Sequence, residues 1–333
     1  MHLSGNQSRA LVAGVVCLAL VGVLIVVLDW RDVLRSIAAA DWRLVSAAVI
    51  AAFFSYACST YSYALLNRSF GINLRRRTLL RIGFVSSAMI TMIGGVAGHP
   101  LRLLLLVRRG VRAGDALAPS LFHGYLESLI FFFIIPAGLA YLAFRYPLPT
   151  PLAMAAGAGA LALAAGFAAA ALVIFVHPIR GRTLGFVGWV WRMVTRRRLA
   201  RGLNDFEETL RHGLSSVTTR PVHLIAPVGL IVLDRASRVA VVWLCFEALG
   251  GGVAPEVVVT GFAIGVAAGV MSMVPGGLGV QEGSMAGVFH LLGAPLEQAV
   301  LVTLLFRVVY SVIPFLVSLS LYWRALHTRR PVD

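Results

Sequence analysis

The chain has 333 residues, 59% of them hydrophobic and only 13% charged, with a formal net charge of +15. Its mean hydropathy of +0.86 excludes a water-soluble domain of this size and implies an all-α, polytopic integral membrane protein, read as a single membrane domain over residues 1–333. Transmembrane strands are excluded because they alternate in polarity, and the basic residues are all arginine, which excludes lysine nucleophiles and Schiff bases.

The first apolar run, Ala10–Leu28, lacks a small-x-small cleavage site before Asp29-Trp30-Arg31-Asp32 and reads as an uncleaved anchor. Asp29–Trp42 follows as a short external connector. Further spans are expected at Leu44–Leu66, Ala116–Phe144, Leu152–Val176, Pro221–Leu249 and Gln298–Trp323, each long enough to cross about 30 Å of hydrocarbon. Two other apolar stretches are interrupted: Thr78–Val107 at Gly94–Gly98, and Val257–Gly293 at Pro275–Gly279. Their halves are mostly too short to cross alone, so both read as re-entrant hairpins. Counting each hairpin as one crossing would give eight spans instead of six. Between the fourth and fifth spans, His177–Arg220 contains Trp189, Trp191, Arg192 and Arg196-Arg197-Arg198. It suits either a basic amphipathic helix at the cytoplasmic surface or a loop that only obeys the positive-inside rule.

The arginines orient these elements. Arg68, Arg75, Arg76, Arg77 and Arg81 precede the first hairpin and Arg108, Arg109 and Arg112 follow it, so it enters from the cytoplasm. No arginine flanks the second hairpin at Gly250–Glu256 or Ala294–Glu297, so it enters from outside. Six full spans put both termini in the cytoplasm, with 21 arginines inside, four outside and four within the membrane. A shift of 180 residues maps Leu44–Leu66 onto Leu224–Phe246 and Ala116–Phe144 onto Leu296–Arg324. The order span, hairpin, span then recurs in opposite orientation, giving inverted-repeat halves at about 43–144 and 221–324, the plan of many secondary transporters.

Charges at membrane depth are the functional candidates, since each costs about 2.5–3.5 kcal/mol on insertion scales. Arg102 and Glu127 are 25 residues apart, as are Glu282 and Arg307 with the signs reversed, and each pair starts at a glycine-rich break. In the second break Gly276, Gly277 and Gly279 free the backbone to turn, and the half-helix that follows points its positive end at the same place. Arg307 offers a planar donor fork for phosphate or carboxylate, or an ion pair with Glu282 or Glu127. Arg102 lies nearer the cytoplasmic rim, within reach of snorkelling. In the fifth span Asp234 and Arg238 are spaced to pair at i,i+4, which leaves Arg235 without a local partner.

Other chemistries are not encoded. The arginines follow the ends of apolar runs instead of forming an aromatic-interleaved patch, so no nucleic-acid partner is expected. Cys17, Cys58 and Cys245 lie in apolar segments and form no disulfide framework or metal-ligand spacing. His99, His123 and His290 lack convergent carboxylates, so no metal site is read and these side chains are expected to line a cavity or bond within the bundle. No nucleotide fingerprint or catalytic triad is visible, so no cofactor and no enzymatic activity are expected.

Pro275-Gly276-Gly277-Leu278-Gly279-Val280-Gln281-Glu282, followed by Arg307, resembles the signature of the lysylphosphatidylglycerol synthase transmembrane family, also called flippase-like domain proteins. The Gly94–Arg102 segment is similar to that family's first motif, a Pro/Gly-rich turn, an acidic residue and an arginine. It departs from the motif at His99, where an acidic residue is usual, and at the displaced Pro100. The resemblance covers nearly the whole chain. It implies movement of anionic or aminoacylated phospholipids, or of polyprenyl-linked lipids, between leaflets of the cell membrane. Ten residues follow Trp323, too few for the synthases' aminoacyl-transferase domain, so a stand-alone membrane domain is expected. Two functions are weighed. One is a lipid flippase-like transporter with a polar cavity lined by the two hairpins. The other is a non-transporting partner of a lipid-synthesis enzyme or glycosyltransferase, acting through loop 177–220.

Overall fold

The computed structural model describes residues 38–145, 150–195, 207–211, 222–272 and 274–327. The expected span Ala10–Leu28 and the arginine run 196–198 lie outside them. Every element among the described residues is helical. In chain order they are α1 (Trp42–Ser69), α2 (Arg76–Ile93), α3 (Gly95–Val107), α4 (Ala113–Arg145), α5 (Thr150–Phe175) and α6 (His177–Thr195). Then come α7 (Val222–Ala248), α8 (Pro255–Met271), a 3₁₀ turn at Pro275–Gly277, α9 (Val280–Leu291), α10 (Leu296–Arg307), a π turn at Val308–Val312 and α11 (Ile313–His327).

Among the described residues, four stretches are long and apolar enough to cross a membrane: Trp42–Ser69, Ala113–Tyr141, Gly157–Phe175 and Leu296–Leu321. These match four of the expected spans. The fifth, α7, runs for 27 residues, about 40 Å at the helical rise, but carries Asp234, Arg235 and Arg238 near its middle. The helix α3, with 13 residues, and α9, with 12, rise only about 18–20 Å.

The chain divides into two compact units. Among the described residues, unit 1 takes those within 38–52, 137–145 and 238–313, and unit 2 takes those within 53–136, 150–237 and 314–327.

Unit 1 is organised by a stripe of small residues. Gly261, Gly265 and Gly269 recur every four residues on α8, and α9 packs along that stripe. A Cβ at Gly261 would enter the Phe289 ring, and one at Gly265 would enter the Met285 side chain. Close backbone approach of this kind replaces the hydrophobic drive that lipid cannot supply. Phe289 meets Phe246 edge-on at 4.8 Å, and Phe262 meets Phe306 edge-on at 6.1 Å. The Gln298 amide donates to the carbonyls of Leu249 and Gly251, closing the glycine-rich end of α7.

Unit 2 holds the other helix pair, α2 and α3. The break between them is narrower than the expected Gly94–Gly98: only Gly94 leaves helical geometry, at φ 101°, and α3 begins at Gly95. Gly98 is required by contact, because a Cβ there would lie 2.7–2.8 Å from the Ile90 backbone. The pair packs on an apolar cluster that includes Tyr63, Leu79, Val85 and Leu106. A second cluster joins Leu66, Phe70, Phe122, Leu126 and Ile231 to Leu210, which is 2% exposed. The turn carrying Leu210 belongs to the expected loop 177–220, so part of that loop is docked. It is tied further by Thr209 Oγ1 donating to Asp115 and by Arg180 lying 4.0 Å from Glu207.

Candidate functional site

In unit 1 the residues around the second glycine turn converge on Arg307. Its Nη1 lies 3.1 Å from Glu282 Oε1, and its Nη2 donates to the Gly276 carbonyl at 2.8 Å. The other Glu282 oxygen accepts from the Gly279 N–H at 2.7 Å. This is half of a capping box, because Gly279 has no side chain to return the bond. The turn depends on its glycines: φ is 66° at Gly276, 64° at Gly277 and 79° at Gly279, all in the region L side chains avoid. Gly277 N–H bonds Val274 O and Gly279 N–H bonds Glu282, so these two amides are used within the turn. What the turn presents to Arg307 is a carbonyl.

The Arg307 and Glu282 side chains are only 10% and 13% exposed. At an effective dielectric of about 20, their attraction at this separation is about 5 kcal/mol. Desolvation costs several kcal/mol per ion, so the pair does not account for stability by itself. The Nε of Arg307 is buried with no hydrogen-bond partner among the described residues. The π turn starts immediately after Arg307, a distortion frequent at functional sites. Arg238, also in unit 1, stands over the Tyr310 ring at 5.1 Å.

In unit 2 the expected pairings are rearranged. Glu127 is engaged by Arg235, at 3.7 Å, and accepts from Ser59 Oγ at 3.0 Å. It is not the partner of Arg102. Arg235, expected to lack a local partner, lies 3.3 Å from Asp234 and 4.6 Å above the Phe131 ring. Asp234 is 0% exposed and also accepts from Ser55 Oγ. The adjacent arginine thus folds back onto this carboxylate.

Arg102 is 1% exposed, so its guanidinium does not reach out to solvent. Its Nε donates to Ser86 Oγ at 2.9 Å, its Nη2 donates to Ser87 Oγ at 3.3 Å, and its guanidinium covers the Tyr63 ring at 4.2 Å. Neutral acceptors and an aromatic face replace the carboxylate that sequence spacing suggested, and its Nη1 has no hydrogen-bond partner among the described residues. His123 is buried edge-on against Tyr63 at 5.5 Å, with Nδ1 3.8 Å from Glu127. His290 bonds the Ala294 carbonyl at its helix end, a structural role, and His99 is exposed.

Sequence reasoning missed Ser55, Ser59, Ser86 and Ser87 as partners of these charges. Their signal was present: Ser55 and Ser59 are four residues apart on α1, and Ser86-Ser87 sits one hairpin away from Arg102. Among the described residues no cluster of His, Cys, Asp and Glu could hold a metal.

An all-helical chain with several apolar helices and charges buried inside them is an integral membrane protein. It belongs to the family described as lysylphosphatidylglycerol synthase TM region, whose model matches residues 11–318. A similar protein is a "UPF0104 membrane protein" of Methanothermobacter thermautotrophicus, 23% identical over 296 residues, covering 85% of each chain.

Proposed function

We propose that the protein is a flippase-like transporter that moves a phosphate-bearing lipid headgroup between leaflets of the cell membrane. The observation that carries this reading is the Arg307 constellation: a buried guanidinium held by Glu282 and the Gly276 carbonyl in a glycine turn. A headgroup phosphate would take over the guanidinium, and Glu282 would remain on the Gly279 N–H. In unit 2, Arg235 and Arg102 serve the same chemistry, with Glu127 and Asp234 holding Arg235 until it is needed. The family's name ties its members to a phospholipid-modifying synthase, which supports a phospholipid or related lipid as cargo. In this reading α2–α3 and α8–α9 are re-entrant hairpins in inverted repeats and the termini are cytoplasmic.

Inside-negative potential favours export of one net negative charge by about 2.3 kcal/mol per 100 mV, so an anionic headgroup needs no nucleotide. A second reading, a membrane partner of a lipid-modifying enzyme, draws on α6, where Phe186, Trp189 and Met193 form an exposed stripe at i, i+3, i+7. The same stripe suits a helix lying in the headgroup region.

The test is reconstitution in liposomes with fluorescent-headgroup phospholipids, following dithionite access to the inner-leaflet probe. Wild-type access that is lost in Arg307→Ala and Glu282→Gln is the expected result. Access that ignores both substitutions would overturn the mechanism.

A further inference from the structure

Unit 2 contains a cleft of about 510 Å³, within the size range of small-ligand sites. Three pieces of chain form it: the loop after α1, the loop between α3 and α4, and the docked turn 207–211. The polar lining is Asn73, Arg109, Arg112, Asp115, Glu208 and Thr209. None of these residues takes part in the sites described above.

The charges in this cleft are unevenly satisfied. Asp115 is engaged: it accepts from Arg112 Nε at 2.8 Å and Nη2 at 3.3 Å, and from Thr209 Oγ1. Arg109 and Glu208 line the same cleft and are not paired with each other. Neither forms an ion pair with any described residue. Arg109 is half-buried and Glu208 is exposed. A bare anion would answer Arg109 and be repelled by Glu208, and a bare cation would meet the reverse. A ligand with both charges on a short linker satisfies both walls at once.

We propose that this cleft binds a zwitterionic aminophosphate, with the phosphate on Arg109 and the amine on Glu208. Neutral Asn73 supplies a further donor and acceptor beside them. The ligand would also fasten the 207–211 turn to the α3–α4 loop, adding a bridge to the Thr209–Asp115 bond. The same chemistry occurs as a lipid headgroup and as a free metabolite, so the proposal narrows the headgroup class of the transporter reading and rests on it only for the lipid source.

The test is binding to the full-length protein in nanodiscs, read by calorimetry with free phosphoethanolamine, inorganic phosphate and ethanolamine. A parallel arm compares retention of phosphatidylethanolamine and phosphatidylglycerol by native mass spectrometry. Phosphoethanolamine is expected to bind at least tenfold tighter than phosphate or ethanolamine. Arg109→Gln and Glu208→Gln are each expected to weaken it about tenfold, the loss of one charge-assisted hydrogen bond. Preference for phosphatidylethanolamine assigns the lipid source, whereas binding of free phosphoethanolamine alone assigns the soluble one. Phosphate binding as tightly as phosphoethanolamine, or affinity untouched in both variants, would overturn the proposal. Binding that persists in a protein that flips no lipid would instead sink the transporter reading and leave this site standing.

Discussion

Removing either partner of the Arg307–Glu282 pair should not cost the same, because each partner has a different second contact. In Arg307→Met the carboxylate left behind keeps the Gly279 N–H at 2.7 Å and sits in the first turn of α9, where the helix favours an anion. The expected loss is about 1–2 kcal/mol. In Glu282→Ala a buried guanidinium is left with one carbonyl, and α9 loses its return cap. Breaking a buried pair this way costs about 3–5 kcal/mol. In the double variant no uncompensated charge remains, so its loss should fall back to about 1–2 kcal/mol, a coupling of roughly 2 kcal/mol or more. Equilibrium unfolding in mixed micelles, followed by tryptophan fluorescence, measures all four corners of the cycle. Equal costs for the two single variants would show that the Gly279 bond carries nothing, and additive costs would show that the pair does not interact.

Two further predictions rest on contacts outside that pair. Gly265→Leu should overpack the α8–α9 interface and cost at least about 1–3 kcal/mol, whereas Gly287→Ala, with open space around its Cβ, should be neutral or slightly stabilising; equal thermal shifts for the two would refute the glycine stripe. Arg102→Lys should lower stability by about 2 kcal/mol, since an ammonium cannot reproduce the fork onto Ser86 and Ser87; an unchanged unfolding midpoint would mean that the fork contributes nothing.

The long helices were legible because nothing competes with apolar length in a membrane chain: α1, α4 and α5 begin and end within a few residues of the runs that predicted them. The second glycine turn was legible for a different reason. Three glycines in five residues next to a glutamate have few structural uses, and Arg307 lies one helix further on. Unit 2 was harder to read. The charge spacing that matched Arg102 to Glu127 is a one-dimensional symmetry, and a buried arginine can be satisfied by hydroxyls and a ring that carry no charge signal. Arg235 was misjudged because i,i+4 geometry assumes a side chain lying along its own helix, whereas this guanidinium reaches both its neighbour Asp234 and Glu127 of α4. The stripe Gly261-x-x-x-Gly265-x-x-x-Gly269 was open to inspection, since small residues at that interval in an apolar helix are a packing signal. The docking of Leu210 was not, because one leucine in a polar stretch gives no periodicity.

In the transporter reading, the second contacts are what would let such costly pairs open. Parting Arg307 from Glu282 forfeits about 5 kcal/mol of attraction at an effective dielectric of about 20. Without compensation that would block any exchange of partners. Each ion keeps a backbone dipole of the right sign, however: the Gly276 carbonyl for Arg307 and the Gly279 N–H for Glu282. A hydrogen bond from the guanidinium to an incoming phosphate contributes about 1.5–3 kcal/mol, and two such bonds fit its fork. On that reading the exchange would be close to balanced. Unit 2 has the same property by another route, since Arg235 is shared between two carboxylates and Asp234 and Glu127 each hold a serine hydroxyl. Releasing one contact there strands no charge. Pairs kept only for stability would gain from isosteric apolar replacement, whereas pairs with a prepared second partner on each side are suited to giving one partner up.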